Sequence, residues 1–190
     1  FLALFATAHL VPRLQEKGTI DLYLSRPVGR VRLLLSRYVG GLLLAAVNLA
    51  YLIGSMWLII VWKTRVLHPR FLLAGGVILF AIAALMAFAF LIGVVTSSTG
   101  VSLMGTYAIF LFAAILMAHD KFAAAVSTEL AANVINGLYW VLPKTAELGQ
   151  ATVALVAGAD APQALVNFHP LAVYGSTALF GVAALSLASW

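Results

Sequence analysis

Long apolar runs separated by short charged groups set the pattern of this chain. The 25 residues from Tyr38 to Trp62 carry no charged side chain. The 48 residues from Phe71 to Ala118 carry none either, and Ser97-Ser98-Thr99-Gly100 is their one small polar break. A third uncharged run extends from Leu171 to Trp190. A helix rises ~1.5 Å per residue, so about 20 apolar residues cross a hydrocarbon core ~30 Å thick. The pattern predicts spans at 39–62, 71–96, 101–118 and 171–190. The polar break reads as a tight turn between antiparallel helices. Phe1–Val11 is apolar but covers about half a bilayer. It has no initiator methionine and no basic leader ahead of it, and is expected to be the end of a further span. The long Leu- and Ala-rich runs lack the alternation of a barrel. The expected class is all-α: a polytopic helical membrane protein with four full transmembrane helices plus a truncated one. One membrane domain is expected over 1–190.

Composition sharpens this picture. Hydrophobic residues make up 64% and charged residues 9%, with a mean hydropathy of +1.08. A soluble core of this size has no room for so much apolar surface. With no cysteine, disulfides and thiol chemistry are excluded.

The net charge of +5 is unevenly placed. Segment 12–37 holds Arg13, Lys17, Arg26, Arg30, Arg32 and Arg37 against Glu16 and Asp21. Segment 63–70 holds Lys63, Arg65 and Arg70, and segment 119–170 is net acidic. Positive residues favour the cytoplasmic side, which places 12–37 inside. Strict alternation then puts 63–70 and 119–170 outside. The three basic residues at 63–70 run against that rule, and snorkelling to outer headgroups accounts for them.

Residues 12–38 carry the most informative order. Gly18 ends what precedes it, Thr19 caps a new helix, and Asp21 sits in its first turn. At helical spacing Ile20, Leu24, Val28, Val31, Leu35 and Tyr38 share one face, and Arg26, Arg30 and Arg37 share another. This predicts an amphipathic helix at the cytoplasmic interface, broken or kinked at Pro27. The run E-K-G-T-I-D-L-Y-L-S-R-P-V-G-R, followed by S-R-Y-V-G-G, resembles the first cytoplasmic loop of ABC type-2 transporter permeases. Glu16, Gly18, Thr19, Leu22, Leu24, Ser25, Pro27, Arg30, Arg37 and Tyr38 fall on the pattern. The nearest flavour is the permease branch of nitrous-oxide-reductase maturation systems.

The resemblance implies a transmembrane subunit of an ATP-binding-cassette exporter with six helices when complete. Phe1–Val11 would end the second. It implies that 12–38 is a coupling loop seated in a separate ATPase subunit, with ATP held by that partner and no cofactor in this chain. Glu16, Asp21, Arg26 and Arg30 would pair with rim charges. Leu22, Tyr23 and Leu24 would anchor. Pro27 and Gly29 would set an elbow beside Gly18 and Thr19. It further implies a dimer of permease subunits in the cytoplasmic membrane, multi-pass and in contact with lipid, with no nucleic-acid partner.

The remaining features add less. Ala50 with Gly54, and Ala89 with Gly93, have the spacing of close helix packing within one subunit. Asn48 is expected to hydrogen-bond a neighbouring helix. His9, His68, His119 and His169 are scattered, with no metal-binding spacing, and Asp120 reads as a helix cap. There is no P-loop and no nucleophile elbow, so catalytic and metal residues are expected to be absent. In segment 119–170, Val126, Leu130, Val134, Leu138, Val141 and Leu142 predict a helix up to Pro143. Residues 145–157 predict a second helix closed by Gly158, and 161–167 a third. A re-entrant cap and a surface-lying arrangement both fit. The competing functional reading is a non-transporting membrane scaffold or sensor. An intramembrane enzyme would need convergent acid, base or metal residues in the spans.

Overall fold

The computed structural model describes residues 29–117, 129–158 and 170–190. These residues form α1 (Arg30–Thr64), α2 (Pro69–Thr96), α3 (Thr99–Leu116), α4 (Glu129–Val141), α5 (Thr145–Ala157) and α6 (Pro170–Ser189). There is no strand among them. Four helices, α1, α2, α3 and α6, are long and apolar enough to cross a membrane. The all-α, polytopic class expected from the uncharged runs is what the structure shows.

The first boundary differs from expectation. The span predicted to start at 39 belongs to a helix that starts at Arg30. Gly29, extended at φ −62° and ψ 144°, takes the N-cap position. No breaker follows it, so the basic turn and the apolar span form one rod of 35 residues, ~52 Å long. The phase of its inner face also differs. Leu34 and Tyr38 pack against the core, whereas Val31 and Leu35, which the spacing groups with Tyr38, are exposed. The deeper part of the helix sets this phase. Leu34, Tyr38, Gly41, Ala45 and Ile53 recur at three- and four-residue steps, one stripe along the rod.

Helix α2 is the hub and packs on α1, α3, α5 and α6. Its residues Ala84, Leu85, Met86 and Ala87 are buried all round. Small residues let its neighbours approach. Gly75 faces Ile53 of α1 so closely that a Cβ there would stand 2.7 Å from Ile53 Cδ1. On α6 the buried stripe is Val173, Thr177, Gly181, Ala184 and Ala188. Gly181 brings its backbone to the Ala84 backbone, 3.7 Å from where a Cβ would stand. Aromatic pairs fill the flanks: Phe80 with Tyr174 at 5.8 Å and Phe88 with Phe180 at 5.6 Å between ring centroids.

The predicted turn at 97–100 is shorter than expected. Ser97 adopts a left-handed conformation, and the Ser98 hydroxyl accepts from the Val101 N–H at 3.5 Å, so α3 already begins at Thr99. Buried Ser102 then donates its hydroxyl to the Ala89 carbonyl at 2.5 Å, which ties α3 to α2. Ala89 and Gly93 are buried, as their spacing predicts. Ala50 and Gly54 meet no described helix. Ala50 is exposed, and a Cβ on Gly54 would meet open space. They lie off the stripe that faces α2. Asn48 also departs from expectation: its amide donates to Leu44 O of its own helix at 2.9 Å. It is exposed, and no described neighbouring helix hydrogen-bonds it.

Candidate functional site

Two ends of the bundle collect charge. At one end lie Arg30, Arg32 and Arg37 in the first turns of α1, together with the Ser97–Ser98 turn. The predicted coupling residues Glu16, Gly18, Thr19, Asp21, Leu22, Leu24, Arg26 and Pro27 lie outside the described residues. Arg30 opens α1. The helix begun at Arg30 leads straight into the core. Leu34 and Tyr38 pack on the Leu85–Met86–Phe90 cluster. The Tyr38 hydroxyl donates to the Ala83 carbonyl at 2.9 Å, and its ring meets Phe90 edge-on at 5.7 Å. Whatever acts on the start of α1 is therefore joined directly to α2. The opposite end holds Lys63, Arg65 and Arg70, as alternation requires.

Between the two ends lies a corner that the sequence reading did not single out. Helix α5 is 13 residues long and runs along α2. Its Thr145 and Leu148 line a cavity with Leu85, and its Val156 and Ala157 meet Arg70 and Phe71 at the far end. Leu85 lies 16 residues from Pro69, ~24 Å along α2. The start of α5 thus lies beside the middle of α2 and its end beside the start of α2. The predicted bounds of the helix, 145–157 with Gly158 behind it, match those observed. Helix α4 ends at Val141, just before Pro143, as the spacing predicts. Its apolar positions Leu130, Val134, Leu138 and Val141 are all exposed, and no described helix covers that face.

The corner itself is Leu142-Pro143-Lys144. Pro143 breaks the helical run, and the Lys144 N–H donates to Thr177 Oγ1 of α6 at 3.2 Å. Thr177 is fully buried. The Lys144 side chain is 5% exposed, and its ammonium stands 4.0 Å from the Tyr139 ring centre and 4.2 Å from that of Trp140. Two ring faces offset part of the cost of burying that charge. The Tyr139 hydroxyl donates to Glu147 Oε1 at 2.5 Å. Glu147 lies one turn beyond Lys144, in the first turn of α5, where a carboxylate also favours the helix dipole. The gap beside these groups is about 10 Å³, no more than one water. The corner is therefore a filled joint of α4, α5 and α6, not an open ligand site.

A larger cavity of about 200 Å³ lies between α2, α3 and α5. Its wall is apolar except for Thr145 and Thr152. Thr145 Oγ1 is buried and has no hydrogen-bond partner. Among the described residues, no three potential metal-ligating side chains come together. The signal for the corner was present as Pro143-Lys144 and Glu147 after an apolar run. In sequence such a group is indistinguishable from an exposed loop.

The family model for ABC-2 family transporter proteins matches residues 1–188. The chain belongs to the ABC-2 transporter family. It is a multi-pass transmembrane permease component of an ABC transporter. For such a permease, membership implies a partner ABC ATPase subunit in general terms. No curated protein and no solved structure matches the chain.

Proposed function

We propose that this ABC-2 permease is the membrane subunit of an exporter, driven by ATP hydrolysis on a separate ATPase subunit. Residues 12–38 form its coupling loop in this reading. Glu16, Asp21, Arg26 and Arg30 contact the ATPase rim, and Leu22 and Leu24 fill its groove. Gly18, Thr19 and Pro27 shape the loop. The observation that carries the reading is the continuity of α1. The basic start at Arg30 and the core contacts of Leu34 and Tyr38 belong to one uninterrupted helix. A push delivered at the loop thus acts on the transmembrane core with no flexible joint after Arg30. Two permease subunits in the cytoplasmic membrane would alternate between inward- and outward-open packings as rigid bodies. The loop pattern also supports a place near the nitrous-oxide-reductase maturation branch.

The test is association with a cognate ABC ATPase subunit. Replacing Gly18 and Thr19 together with Pro27 is expected to abolish co-purification and ATPase stimulation while membrane insertion persists. Unchanged pull-down would sink the coupling reading and favour a non-transporting scaffold.

A further inference from the structure

The α1–α2 turn and the C-terminal end of α5 enclose an open cavity of about 620 Å³. Small-ligand sites run from roughly 300 to 1,000 Å³. Trp57, Ile60, Phe71 and Val156 supply apolar wall, His68 lies at the turn, and Arg70 is the one permanent charge in the lining. The cavity sits where the uncharged stretch of α1 ends at Lys63, the level of lipid headgroups.

Arg70 is prepositioned there. Its guanidinium lies against Gly158, so close that a Cβ would overlap Nη1. Gly158 adopts φ 62° and ψ −123°, a conformation open to glycine and strained for other residues. It closes α5, whose carbonyl end carries partial negative charge and favours a cation. The turn is fixed as well: the Trp57 indole donates to the His68 carbonyl at 3.2 Å. Among the described residues no carboxylate pairs with Arg70. The acidic ones are Glu129 in α4 and Glu147 at the opposite end of α5.

An apolar cleft at headgroup depth, with an oriented guanidinium and no acidic residue in its described lining, is complementary to an anionic amphiphile. We propose that this cavity binds one anionic phospholipid. The phosphate pairs with Arg70, and an acyl chain lies along Trp57, Ile60 and Phe71. The guanidinium fork matches a phosphate through two parallel hydrogen bonds. The basic 63–70 segment, awkward under the charge rule, thereby acquires a specific ligand. The inference stands on the α1–α2–α5 geometry and does not depend on the transport direction or on the coupling loop.

The experiment uses the full chain, purified in detergent with any subunits that accompany it and stripped of lipid. It is titrated with phosphatidylglycerol, phosphatidylcholine or glycerol 3-phosphate, and binding is read by native mass spectrometry. One strong phosphatidylglycerol site is expected, about tenfold or more tighter than phosphatidylcholine. R70Q should erase that preference. R70K keeps the charge but loses the fork, and should weaken it. G158A leaves the charge unchanged and should also weaken it by displacing the guanidinium. K63Q and R65Q should leave it intact. Should R70Q fail to fold, R70K and G158A decide. Equal losses for K63Q, R65Q and R70Q would mean diffuse snorkelling and overturn the site. An unchanged preference in both R70K and G158A would do the same. Competition by glycerol 3-phosphate as strong as by the lipid would overturn the lipid as occupant.

Discussion

Helices α1 and α2 are both long, apolar and nearly free of charge, yet they live in different surroundings. Around Leu85 and Met86, α2 is enclosed on every side. Along most of its length α1 turns Leu43, Val47, Tyr51, Leu58 and Trp62 outward. In water that contrast would be impossible, because the outward face would collapse inward. Lipid removes the penalty, since a leucine is as well solvated by acyl chains as by another helix. Small residues then select the interface. Ala84, Ala87, Ala89 and Gly93 of α2, like Gly181 and Ala184 of α6, lower the surface so that backbones meet. Helix α1 turns one such stripe toward α2, and no described helix covers its outer face.

The contrast can be broken by paired substitutions. The largest effect is expected from Phe90→Ala, which empties the centre of the core where Tyr38 and Leu85 meet. It should cost about 3 kcal/mol, the low end for a buried phenylalanine, because lipid solvates the ring in the unfolded reference. Leu43→Ala on the outer face of α1 should cost no more than about 0.5 kcal/mol. Denaturation in mixed micelles compares the two, and equal losses would mean that α1 is covered by a partner.

A smaller effect is expected at two glycines. Gly75→Val drives methyl groups into Ile53 and should destabilise by about 1–3 kcal/mol. Ile53→Ala should recover part of this in the double variant. Gly54→Val meets open space and should be close to neutral in the monomer. If it instead lowers the oligomeric state measured by light scattering, the outer face of α1 is a subunit interface. The smallest effect belongs to Asn48→Leu. Its amide serves only its own helix, so stability should change by about 0.5 kcal/mol or less. A marked loss would show that a second chain supplies Asn48 with a partner.

The spans were legible because bilayer thickness converts directly into run length. The runs starting at Phe71 and Leu171 mark α2 and α6 to within two residues. Helix α5 was legible too, since Gly158 and Pro143 bracket it. The start of α1 was not. Helical phase around Val31 and Leu35 was read outward from the basic loop, whereas contacts further along, at Gly41, Ala45 and Ile53, set the rotation of the rod. Nor was the depth of Lys144 legible. Its burial depends on Tyr139, Trp140 and Thr177, contacts that leave no mark on local composition. The role of Ala50 and Gly54 failed for a related reason: spacing shows that a close approach is allowed, but not from which chain.

Helix α1 meets α2 at three levels: Tyr38 with Ala83 and Phe90, Ile53 with Gly75, and Trp57 with His68. From Tyr38 to Trp57 is 19 residues, ~29 Å along the axis, close to the thickness of the hydrocarbon core. A rod fastened at both ends and once between has lost the freedom to roll or pivot by itself. The smallest moving part at this side of the bundle is therefore a two-stave panel, and its hinges must lie beyond α2, on the small-residue seams toward α3 and α6.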